Sequence, residues 1–61
     1  MFIRLTKGAE NIYVNMNKVF YLSQCMTNKK TLLEMTNNNF VTVNESPEEI
    51  LQLIKGTYLN V

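Results

Sequence analysis

Apolar and polar positions alternate in short bursts along residues 2–43 of this 61-residue chain, and from residue 46 onward the period lengthens. FIRLT (residues 2–6) sets Ile3 and Leu5 against Phe2, Arg4 and Thr6, the period-two pattern of a strand with one face buried. NIYVNM (residues 11–16) repeats it, with Ile12, Val14 and Met16 on one side and Tyr13 on the other. KGAE between them supplies Gly8 for a turn, so the two segments read as a hairpin. VFYLSQ (residues 19–24) is rich in β-branched and aromatic residues, and TLLEMT (residues 31–36) follows the polar interval CMTNKK, a second hairpin. Asn37 to Asn39 can close a tight reversal into FVTV (residues 40–43), because Asn tolerates positive φ. Strands are therefore predicted over about 2–6, 11–16, 19–24, 31–36 and 40–43.

The change of period at NESPEEILQLIKG marks a helix. Ser46 suits the N-cap, Pro47 the first helical position, and Glu49 stands three residues after the cap to complete a capping box. Glu48 and Glu49 complement the positive end of the helix dipole; Lys55 and Gly56 form a cationic last turn and a stop. A helix over 47–55 is about 14 Å long, too short to persist alone, and must dock. Its apolar stripe is Ile50, Leu53 and Ile54, widened by Leu51 and continued by Tyr58. The chain is expected to be one α+β domain over 1–61: a small antiparallel sheet of four to five strands capped on one face by the C-terminal helix.

Size changes the picture first. A 61-residue domain buries only roughly 60% of the surface its unfolded chain exposes. The single Cys25 cannot form an internal disulfide, and with no His there is no zinc constellation. The remaining supplement is a partner chain, so a homo-oligomer is expected. Cys25 reads as a small hydrophobe at a strand end, in keeping with a reducing, cytoplasmic setting. No apolar run approaches the ~20 residues that cross a bilayer and no secretory pattern is present, so no membrane insertion is expected.

If Ile3, Leu5, Ile12 and Val14 face the helix, then Phe2, Arg4 and Tyr13 face away, joined by Tyr21 and Phe40 according to register. Phe2, Arg4, Tyr13, Tyr21 and Phe40 are the candidate interaction face. Self-association ranks first among its uses and another protein partner second. Stacking of single-stranded nucleic acid ranks third, because a net charge of +1 with only Lys29 and Lys30 adjacent is poor in clustered cations.

Catalysis is not expected. The chain lacks His, Asp and Trp, and its five acidic residues are all Glu. Gly8 and Gly56 are isolated and make no phosphate-binding loop, so no cofactor is expected. Glu45, Glu48 and Glu49 read as helix-terminal acids and not as a metal site.

MFIRLT, IYVNMNKV, TLLEMTNNNFVTV and NESPEEILQLI, which together span most of the chain, resemble the FlbD family of small flagellar and swarming-motility proteins and related short phage and bacterial proteins of unassigned role. That resemblance implies a non-enzymatic module with a motility-related or phage setting. MFIRLT and EEILQLI also look like the two ends of the carbon storage regulator family, whose members have five strands and a C-terminal helix, form strand-swapped dimers and bind RNA. That family reads RNA with basic residues beside its first strand and before its helix. Here those places hold Arg4 and the acidic run VNESPEE.

Overall fold

The computed structural model describes residues 1–59, and the side chains of residues 1–36 and 38–56. Five strands precede one helix: β1 (Phe2–Lys7), β2 (Glu10–Asn15), β3 (Val19–Gln24), β4 (Thr31–Met35), β5 (Asn39–Val43) and α1 (Pro47–Leu59). β1 and β2 form an antiparallel hairpin in which Lys7 faces Glu10, leaving Gly8 and Ala9 as its turn. Gly8 has φ +59. Positive φ at the first turn position alone is the mark of a type II′ turn, whose twist matches that of the strands. A Cβ at Gly8 would meet nothing within 4 Å, so glycine is required there by backbone conformation and not by crowding.

A short 3-10 turn, Met16–Lys18, follows, with the Asn17 N–H donating to Asn15 Oδ1 at 3.1 Å. The turn redirects the chain, and β3 does not continue the first ladder. Instead β3, β4 and β5 form a separate antiparallel sheet in that order. The single sheet expected from the pattern is thus two sheets of two and three strands. They meet where β5 ends: the Asn44 N–H donates to the Thr6 carbonyl at 2.8 Å. The sheets adjoin along β1 and β5, and the apolar residues of both join those of α1 in one core.

That core is Ile3, Leu5 and Val14 from the hairpin, Leu33 and Val43 from the second sheet, and Ile50 from α1. Met1, Ile12, Met16, Val19, Leu22, Met35, Val41 and Ile54 pack around it. The helix begins as its sequence predicts. The Glu49 N–H donates to Ser46 Oγ at 3.1 Å and the Ser46 N–H to Glu49 Oε1 at 3.3 Å, a reciprocal capping box. It does not stop at Gly56 but runs to Leu59. Gly56 has no positive φ, and an interior glycine costs a helix only about 1 kcal/mol relative to Ala. The inward stripe is also narrower than expected: Ile50 is buried and Ile54 half-buried, while Leu51 and Leu53 are exposed. The Tyr58 side chain lies outside the described residues.

Candidate interaction surfaces

The five candidate residues divide between the two sheets. On the hairpin, alternation turns Phe2, Arg4 and Thr6 outward from β1, opposite Asn15, Tyr13 and Asn11 of β2. Phe2 is 67% and Tyr13 69% exposed, and Arg4 is exposed beside Tyr13. On the second sheet Tyr21, Glu34 and Phe40 stand in one row across β3, β4 and β5. Phe2, Arg4 and Tyr13 thus lie on one sheet and Tyr21 and Phe40 on the other.

The register of β3 shifts between Val19 and Tyr21, a β-bulge that inserts Phe20. Strict alternation would send Phe20 inward with Leu22; the bulge instead leaves both Phe20 (68%) and Tyr21 (60%) exposed. Phe20 therefore joins Tyr21 and Phe40 (56%), a residue the period-two pattern misses. A hydrogen bond to the Glu34 carboxylate, reinforced by its negative charge, raises the Tyr21 phenol above its ordinary value. The adjoining row is Ser23, Leu32 and Thr42, with Leu32 half-buried.

Glu45 is the polar junction of the fold. Its carboxylate accepts the Thr6 N–H at 2.9 Å and the Thr6 hydroxyl at 2.7 Å, while its carbonyl accepts the Thr31 hydroxyl at 2.7 Å. Asn44 Nδ2 donates to Thr6 Oγ1 at 3.1 Å and to the Gly8 carbonyl at 2.8 Å. Burial pushes the Glu45 carboxyl up, but the two Thr6 donors, its own backbone and the nearby Arg4 guanidinium outweigh it and hold the group below its ordinary value. Glu45 is thus a structural acid that also offsets the charge of Arg4.

Cys25 opens the β3–β4 loop, half-buried, with its thiol 3.7 Å from the Thr27 hydroxyl. Hydrogen bonds from the Thr27 and Asn28 backbone and the Thr27 side chain lower its pKa. Met26 beside it is 95% exposed. Glu48, Glu49, Gln52 and Leu53 line a shallow, open hollow on the outer side of α1. Among the described residues, no cluster of three or more metal-ligating side chains occurs and no helix is long and apolar enough to cross a membrane.

Compared with protein-family models, curated proteins and solved structures, the chain matches none. Two participants escaped the sequence reading. Phe20 was hidden by a bulge whose only signal is an aromatic pair at a strand start, and Glu34 by its place among apolar neighbours. The outward phase of Glu34 follows directly from Leu33 pointing in.

Proposed function

We propose that this chain is a small non-enzymatic interaction module that acts by associating with copies of itself through aromatic-bearing sheet faces. The observation that carries the reading is an imbalance. Among the described residues six hydrophobic side chains are buried, while Phe2, Tyr13, Phe20, Tyr21, Met26, Phe40, Leu51 and Leu53 are exposed. A surface holding more large apolar side chains than its core favours burial against another surface. The FlbD-like frame supports seeking that assembly among flagellar, swarming or phage components.

RNA binding is less well supported. Arg4 lies beside Tyr13, as a stacking platform would need, but Glu45 acts on the same guanidinium and reduces the positive potential available to phosphates. Sedimentation from about 1 μM to about 1 mM tests the proposal, spanning the affinities typical of small interfaces. Mass should rise with concentration; a monomer throughout would refute self-association.

A further inference from the structure

Resting on that reading of self-association, we propose that the second copy docks on the outer face of the β3–β4–β5 sheet. A two-fold axis passing over Leu32 then sets Lys30 of each copy against the partner's Glu34. β4 is the central strand of its sheet. Thr31 and Leu33 are buried, so Leu32 and Glu34 point outward. The Cys25 N–H donates to the Lys30 carbonyl at 2.7 Å, carrying the β3–β4 ladder one residue beyond the Gln24–Thr31 pair. Alternation therefore places Lys30 on the outer face as well. A cation and an anion flank Leu32 along one strand, each two residues away, or about 7 Å.

This arrangement is self-complementary under one symmetry operation. An axis running across the strands at Leu32 makes the two β4 strands antiparallel and forms the Lys30–Glu34 pair twice. An axis running along β4 would instead set Glu34 against Glu34, a like-charge juxtaposition that opposes docking. Leu32 supplies the apolar centre with Ser23 and Thr42 beside it in its own row, while exposed Tyr21 and Phe40 stand on either side of Glu34 and shield that end of each charge pair from water. The hairpin face lacks this match, since its outward row of Phe2, Arg4 and Thr6, opposite Asn15, Tyr13 and Asn11, holds a cation and no acid to meet it.

Three strands about 4.8 Å apart and five residues of about 3.3 Å give a footprint of roughly 15 by 17 Å, or about 250 Å² per copy, well below the roughly 800 Å² per partner of a standard interface, so the contact is a weak and transient one. Association in the micromolar range is expected.

A charge-swap series tests it by sedimentation, with circular dichroism confirming that each variant is folded. K30E and E34K should each weaken association by about tenfold, because each turns two attractive pairs into repulsive ones. The double variant K30E/E34K should return to near the original affinity. Dilution should also shift the amide resonances of Tyr21, Leu32 and Phe40 and leave those of Phe2 and Tyr13 unmoved, a readout that needs no variant. If the unaltered chain associates but the single variants do not weaken it, or the double variant does not recover, this interface is wrong and self-association stands. If the unaltered chain is monomeric throughout, both readings fall.

Discussion

Glu45 and Thr6 stand 39 residues apart in sequence, yet both oxygens of one carboxylate bind the two donors of the other residue. Hydrogen bonds to a charged group contribute more than neutral ones, so Glu45→Ala should cost about 2 kcal/mol, measured by urea denaturation. Acid should reproduce part of that loss. The folded-state pKa of Glu45 lies below its ordinary value. The group's contribution to stability is therefore present above the ordinary Glu range and is lost as pH falls through the folded-state value. In Glu45→Gln the decline in stability between about pH 7 and about pH 3 should be shallower, since one linked proton is gone. An acid profile identical to that of the unaltered chain would contradict this role. Sequence could not reveal the junction: beside Ser46, Glu48 and Glu49, Glu45 looks like one more acid at a helix start, and only the return of β5 to β1 brings Thr6 to it.

At the scale of elements, local signals were legible and long-range ones were not. The hairpin turn at Gly8 and the Ser46–Glu49 box depend on residues within four positions of one another, and both form as their sequence predicts. Ser46→Ala should lower stability by about 1 kcal/mol through loss of the side-chain cap, visible as a lower Tm. An unaltered Tm would mean that the box contributes nothing. The end of α1 was misread because Lys55 and Gly56 signal a stop that costs little to ignore when downstream residues continue the helix. The bulge at Phe20 is not legible in the sequence, because alternation cannot show an insertion until the partner strand is known. Phe20→Ser separates the two registers. With Phe20 on the surface, the change should stay within about 0.5 kcal/mol of the original stability; a loss of about 3 kcal/mol or more would place the ring in the core.

For the whole molecule, the division into two sheets decides how its surface can be used. Alternation located the apolar sides of the strands but led to an expectation of one sheet where there are two, since ladder pairing depends on how the 3-10 turn at Met16–Lys18 redirects β3. Two sheets and Ile50 of α1 make a small core and leave aromatics exposed on both sheets. A 61-residue domain should have a folding free energy of only about 3–9 kcal/mol, so even weak association is a sizeable share of it. Binding that favours the folded chain raises its melting temperature by mass action. Raising the concentration from about 5 to about 500 μM should therefore raise Tm by about 5 °C, given that 1 kcal/mol shifts Tm by about 4–8 °C at this size. K30E should show a smaller concentration dependence while keeping the dilute-limit Tm, because its defect lies between copies. A Tm independent of concentration in the unaltered chain would mean that its exposed rings do not stabilise the folded chain by joining copies.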